Sequence, residues 1–158
     1  MPHIHEAYDF TVGMLIVHNE RVLFVNHPRY NKWLTPGGHV ELNEDPEQAL
    51  FRETAEETGL TVRLLAGKPN ITPETGLKLL PRPDFMDVHE ANPPHKHIGL
   101  MYVMVAQNDQ VRLSNEHLDF AWLSREDLAS STYGLPTSLR YYAEQALDMY
   151  NNERKSSL

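Results

Sequence analysis

The sequence predicts an α/β fold, a mixed β-sheet flanked by helices, and two observations predict it. Short apolar, β-branched runs recur along the chain, from Phe10 to Val17, Val22 to Val25, Thr61 to Leu65, Phe85 to His89, Ile98 to Ala106 and Phe120 to Leu123. Two or three stretches with helical spacing lie among and after them, which sets helices against a sheet rather than in a separate bundle. No internal repeat or linker divides the 158 residues, so one domain over residues 1–150 is expected, followed by a fraying tail at 151–158.

The first two runs, joined by the polar His18-Asn19-Glu20-Arg21, read as a hairpin. His27 to Lys32 has loop composition, Trp33-Leu34 enters a short strand, and Pro36-Gly37-Gly38 permits backbone conformations closed to other residues. The clearest helix follows, from Pro46 to Thr58. Asp45 suits the N-cap, Pro46 the first helical position, Gln48 completes a capping box with Asp45, and Gly59 suits a left-handed C-cap. Gly67 to Pro83 carries Pro69, Pro73, Pro81 and Pro83 and reads as a long irregular connection of the kind that often serves a site. The Ile98 to Ala106 run is apolar enough to be central. Ser124 caps a brief helix over Arg125 to Ala129. Leu139, Tyr142, Ala143, Ala146, Leu147 and Tyr150 recur at the spacing of a terminal amphipathic helix.

Composition narrows the function. With 41% hydrophobic residues the chain can bury a substantial core. Fourteen Lys+Arg against 22 Asp+Glu give a net charge of −8, which repels phosphate backbones and makes a long nucleic acid an unfavourable partner. There is no cysteine, so disulfides, thiolate nucleophiles and cysteine-ligated zinc are excluded. No apolar run approaches membrane-spanning length and the start lacks a leader-like pattern, so a soluble cytoplasmic protein is expected.

On a helical wheel Glu53, Glu56 and Glu57 fall within one third of the circumference, while Leu50, Phe51, Thr54, Ala55 and Thr58 gather on the opposite side. Like charges four residues apart repel by a few tenths of a kcal/mol, and a bound cation relieves this. Clustered hard oxygen ligands favour Mg²⁺, with Mn²⁺ as a substitute. Arg52, four residues before Glu56, is positioned to hold that carboxylate by a bidentate contact. Most charge runs are solvated faces; here Pro36-Gly37-Gly38 and Glu44 ahead of the helix favour a site.

Gly38, five residues, Glu44, seven residues, then Arg52-Glu53-Thr54-Ala55-Glu56-Glu57-Thr58-Gly59-Leu60 resembles the Nudix box, G-x5-E-x7-R-E-U-x-E-E-x-G-U with U aliphatic. Every charged and glycine position matches. Thr54 in place of an aliphatic residue is the one departure and concerns packing of the buried face. The hairpin before the box and the strands after it are ordered as in Nudix domains. The resemblance implies an α/β/α sandwich around a mixed sheet and hydrolysis of a nucleoside diphosphate linked to another group. It also implies a divalent metal on Glu53, Glu56 and Glu57, an orienting role for Arg52, and support of the box by Glu44. The backbone carbonyl of Gly37 or Gly38 is a further ligand candidate.

Such a hydrolase needs a group to take the proton from the attacking water. Glu53 is one candidate. Glu116, in the loop before Phe120, ranks first outside the box because a late-loop acid is one family solution, with Glu90 and His89 as alternatives. His95 and His97 would share a face on a strand and, with His89, raise a zinc site, but no third or fourth ligand is evident from spacing. Contact with phosphates or the far part of the substrate is the favoured role for them and for His39. Trp33, Tyr30, Phe85 and Tyr102 are candidates for base stacking, although aromatics in such runs are more often core. A small nucleotide-like substrate fits the acidic charge best. A homodimer is compatible with the apolar stripe of the last helix. Two other functions compete: a prenyl-diphosphate isomerase shares the fold but calls for a cysteine, and a non-catalytic nucleotide sensor typically loses box residues that are present here.

Overall fold

The computed structural model describes residues 7–157. Eight strands form one mixed sheet: β1 (Tyr8–His18), β2 (Arg21–His27), β3 (Lys32–Leu34), β4 (Gly37–His39), β5 (Val62–Leu64), β6 (Phe85–Asn92), β7 (His95–Ala106) and β8 (Asp119–Leu123). Three helices accompany it: α1 (Pro46–Thr58), α2 (Arg125–Ala129) and α3 (Thr137–Ser156).

The sheet is built around β1 and β7, which run parallel from the Tyr8–Lys96 pair to the Val17–Val105 pair. Both are near-continuous apolar runs, as strands covered on both faces must be. Val12, Met14 and Ile16 of β1 pack with Ala49 and Leu50 of α1 on one face, while Leu15 and Val17 pack with Leu128, Ala143, Ala146 and Leu147 of α2 and α3 on the other. The alternation of side chains along a strand thus fills two cores and yields the expected α/β/α layering.

Four strands share the outer edges of this pair, and β3 and β8 add onto β2. β7 binds β5 through its C-terminal half and β6 through its N-terminal half. Likewise β1 binds β2 only at Val17 and His18 and β4 at Thr11 to Gly13, with the Met14 amide donating to the Pro36 carbonyl between them. This divergence admits β4 into the sheet and delivers Gly37 and Gly38 to the base of α1.

Local sequence accounts for α1. The Asp45 carboxylate accepts from the Gln48 amide at 3.0 Å, the Gln48 side chain accepts from the Asp45 amide at 2.9 Å, and Gly59 closes the helix at φ 63°. The irregular segment after β5 is tied to the first turn by two lysines, Lys68 on Glu47 and Lys78 on both Asp45 and Glu47. The hairpin turn is tight, with Asn19 and Glu20 both at positive φ.

Two expectations are corrected. Phe51 and Ala55 are exposed; the buried side of α1 is Ala49, Leu50, Thr54, Glu57 and Thr58, because Glu57 has polar partners inside the fold. Thr54 suits this face, since its hydroxyl donates to the Leu50 carbonyl at 2.7 Å and leaves its methyl to pack. Gly37 and Gly38 are ordinary extended strand residues without positive φ, and their role is close approach. The last helix runs past 151, to Ser156, and the Arg63 guanidinium grips its Glu153 with bonds of 2.9 and 2.7 Å.

Candidate active site

Arg52 organises the acids. Its Nε donates to Glu44 Oε2 at 3.0 Å and its Nη2 to Glu44 Oε1 at 2.6 Å, a two-pronged grip of the kind a planar guanidinium makes with a carboxylate. Nη1 reaches Glu53 Oε1 at 2.8 Å and Glu56 Oε2 at 3.1 Å, and Nη2 also reaches the His39 carbonyl at 3.1 Å. The bidentate partner is therefore Glu44, whereas Glu56 receives a single bond. Glu44 in turn accepts from the Glu41 amide at 2.9 Å, so it locks the loop entering α1 to the helix. The Arg52 guanidinium holds the Glu44 carboxyl below the usual carboxylate range, and those same acids raise the proton affinity of Arg52.

The three box glutamates occupy three different environments. Glu56 is 61% exposed, Glu53 is mostly covered, and Glu57 is 4% exposed. Burial pushes the Glu53 carboxyl up, against the Arg52 hydrogen bond and with the help of neighbouring Glu57 and Glu56. Glu53 lies against Gly38, where any Cβ would overlap its carboxylate. Glu57 is held from two sides: its Oε2 accepts from the Gly37 amide at 2.9 Å, and its Oε1 lies 2.9 Å from His117 Nε2. β4 thus serves as the floor of the site, with one glycine donating to Glu57 and the next making room for Glu53.

The other residues named from sequence take varied places. The His39 ring turns away from the glutamates to His97, at 3.2 Å, so His39 contributes only its carbonyl to the Arg52 cluster. Glu116 is exposed on the loop that carries His117; this loop is fixed to α1 by the Ser114 amide on the Glu57 carbonyl at 3.2 Å. Tyr102 and Phe85 belong to the cores, and Trp33 packs edge-on against Tyr133.

A family model described as the NUDIX domain matches residues 7–145. The chain belongs to the Nudix family. A solved Nudix hydrolase from Clostridium perfringens superposes with a TM-score of 0.77 at 31% identity, over 90% of this chain and 97% of that one. By sequence, a probable DHNTP pyrophosphohydrolase of Lactococcus lactis is 26% identical over 124 residues, covering 78% of this chain and 69% of the relative. An RNA pyrophosphohydrolase of Hydrogenovibrio crunogenus is 45% identical, but over 56 residues, so the chain spans about a third of that protein's length. This protein is accordingly a Nudix hydrolase, of a fold whose members include pyrophosphohydrolases. Among its described residues no helix is long and apolar enough to cross a membrane.

Within this Nudix site one residue escaped the sequence reading. His117 is buried against Glu57, 60 positions away, and its Nδ1 has no partner among the described residues. The signal that points to it is weak, a histidine one residue after the Glu116 already singled out. His27 stands 5.7 Å from His117 ring to ring, and burial together with His117 lowers its proton affinity.

Proposed function

We propose that this Nudix hydrolase is a divalent-metal-dependent pyrophosphohydrolase of a small nucleotide, in which a nucleoside diphosphate is linked to a further group. The observation that carries this reading is a charge imbalance. Among the described residues Arg52 is the one cation touching Glu44, Glu53 and Glu56, and Glu57 adds a fourth carboxylate on the same helix, held by the Gly37 amide and His117. A hard divalent ion suits the surplus carboxylates, and Mg²⁺ is the natural choice, with Mn²⁺ able to replace it. The donor chemistry fits, although the three carboxylates are not gathered within 4.8 Å of one another: Glu53 and Glu56 accept from the same Arg52 nitrogen, and each Glu57 oxygen keeps a lone pair after its present hydrogen bond. When bound, such an ion supplies charge neutralisation at the diphosphate and acidifies water.

The protein's own groups do the rest. Arg52 and Glu44 fix the direction of Glu53 and Glu56, and Gly37 with His117 fixes Glu57, so the carboxylates are set before substrate arrives. Water attacks one phosphorus of the diphosphate, the bond from that phosphorus to the bridging oxygen breaks, the other phosphoryl group departs with that oxygen, and the proton lost by the water passes to a carboxylate. Glu53 suits this role because burial already raises its affinity for a proton. Glu116, on the loop anchored to Glu57, is the second candidate acceptor, and comparing Glu53→Gln with Glu116→Gln assigns the role. Similarity to a probable DHNTP pyrophosphohydrolase over 78% of this chain and 69% of that protein, together with the net charge of −8, favours a small nucleotide over RNA.

The test is product analysis of a panel of nucleoside triphosphates, ADP-ribose, dinucleoside polyphosphates and sugar nucleotides with Mg²⁺. Glu56→Gln is the control, because this exposed side chain is replaced without disturbing the core. Cleavage between phosphates by the wild type, reduced at least about 100-fold in the variant, supports the reading. Tight binding of one compound without cleavage replaces it with a sensor module.

A further inference from the structure

On the sheet face opposite α1, four strands bring metal-ligating side chains to one place. β1 and β7 pair so that Asp9 lies beside His97, β4 pairs with β1 so that His39 lies beside Thr11, and β6 pairs with β7 so that His89 lies beside His97. Strand alternation adds His95 to the same face. His95 Nε2 is 3.0 Å from Asp9 Oδ2, His39 Nε2 is 3.2 Å from His97 Nε2, and His39 Nε2 is 3.7 Å from Asp9 Oδ2. Asp9, His95 and His97 each offer an atom within 4.8 Å of the others.

These spacings match a coordination sphere. An ion with four tetrahedral ligands at about 2.0–2.1 Å sets neighbouring ligand atoms about 3.3 Å apart; the three separations bracket that value, with Asp9, His95 and His97 as the mutually close set and His39 joined to it through His97 and Asp9. We propose that Asp9, His39, His95 and His97 form a second metal site, distinct from the glutamate site and specific for a transition-metal dication of the zinc class. Three imidazoles and one carboxylate are the donors such an ion prefers, whereas Mg²⁺ takes an all-oxygen shell. The site is reachable, since the Asp9 and His39 side chains are 49% and 57% exposed.

An outer layer braces it. His89 Nδ1 is 2.8 Å from Asp87 Oδ1, the Tyr142 hydroxyl donates to Asp87 Oδ2 at 2.9 Å, and the His89 and His97 rings stand 5.4 Å apart. These bonds hold His89, whose ring packs edge-on against the ligating His97. The strand that carries His39 into this cluster also carries Gly38 against Glu53, so β4 joins the two sites.

Equilibrium dialysis of the full chain against Zn²⁺, with Mg²⁺ in large excess, tests the proposal, and Co²⁺ in place of Zn²⁺ reports geometry through its visible absorption. One equivalent of Zn²⁺ and an intense tetrahedral Co²⁺ band are expected. Both should persist in Glu56→Gln, whereas His97→Gln and Asp9→Asn should each weaken Zn²⁺ binding at least tenfold. Should His97→Gln fail to unfold cooperatively on heating, His95→Gln takes its place. Zn²⁺ binding that Glu56→Gln abolishes, binding unaffected by the histidine variants, or no binding at all would each overturn the proposal; none of these outcomes bears on diphosphate hydrolysis, which is read separately with Mg²⁺.

Discussion

Adjacent glycines at the floor of the site should respond in opposite ways to the same substitution. A Cβ at Gly38 would overlap Glu53, with even the more distant carboxylate oxygen at 2.8 Å, whereas ordinary contact begins at 3.4 Å. The obstacle is the end of a flexible side chain, so the backbone can stay while the carboxylate swings aside by about 1 Å or more. The stability cost is then one off-rotamer side chain, about 0.5–1.5 kcal/mol, and part of one charge-assisted bond to Arg52, worth about 1.5–3 kcal/mol. Activity should fall by about 100-fold or more, since displacements of 1 Å in a catalytic group have effects of that order. At Gly37 the same Cβ would run into backbone: the Val12 carbonyl most closely, then the Gly13 Cα at 3.1 Å and the Val12 carbonyl carbon at 3.3 Å. Neither strand can yield without breaking the β1–β4 pairing, so Gly37→Ala should lose at least about 3 kcal/mol, the upper range for overpacking. Thermal unfolding and Mg²⁺-dependent hydrolysis, measured on both variants, separate the two effects. Full activity in Gly38→Ala, or equal destabilisation of both, would refute the account of β4 as a floor fitted to Glu53.

Further expectations follow from the buried acids and the helix cap. His117→Ala leaves the Glu57 oxygen without its 2.9 Å partner and should lower unfolding free energy by about 2–3 kcal/mol, read by urea denaturation. It should also weaken Mg²⁺ binding by freeing Glu57 to rotate, whereas unchanged Mg²⁺ affinity would deny His117 a positioning role. The pH dependence of stability should carry two slopes of opposite sign. Glu44 has a folded value below its ordinary one, so its contribution is present above about pH 4.5 and is lost as pH falls through the lowered value; Glu44→Gln removes that loss. Glu53 has a raised folded value, so the metal-free protein loses stability as pH rises from about 4.5 through that value, and Glu53→Gln flattens this slope. Asp45→Ala removes the cap of α1 and the Lys78 contact, and should cost about 1 kcal/mol with little change in hydrolysis at saturating Mg²⁺; a large loss of activity would mean that the cap also sets the site.

The helix was the most legible part of the sequence, for a local reason. Caps, a first-turn proline and a closing glycine act within four residues of the bonds they make, so Asp45, Pro46, Gln48 and Gly59 declare α1 without reference to any other strand. The wheel was less reliable because it ranks side chains by polarity. Glu57 lies inside and Phe51 outside, since a backbone amide from Gly37 and an imidazole from His117 await the carboxylate there. Grouping of the acids with Arg52 was also legible, being a matter of spacing on one helix, although the spacing suggested Glu56 as the main partner and Glu44 took that place.

What the amino-acid order determined by itself was therefore the family, the layered fold and the carboxylate helix. Tertiary structure alone decided the partners drawn from distant strands. Spacing shows that His95 and His97 share a face, but it does not say that Asp9 and His39, 86 and 58 positions away, arrive at the same face through the pairing of β1 with β7 and of β4 with β1. Register between strands is set by the burial of whole faces against α1 and α3. Long-range neighbours are a consequence of that packing, and no short stretch of the chain contains it.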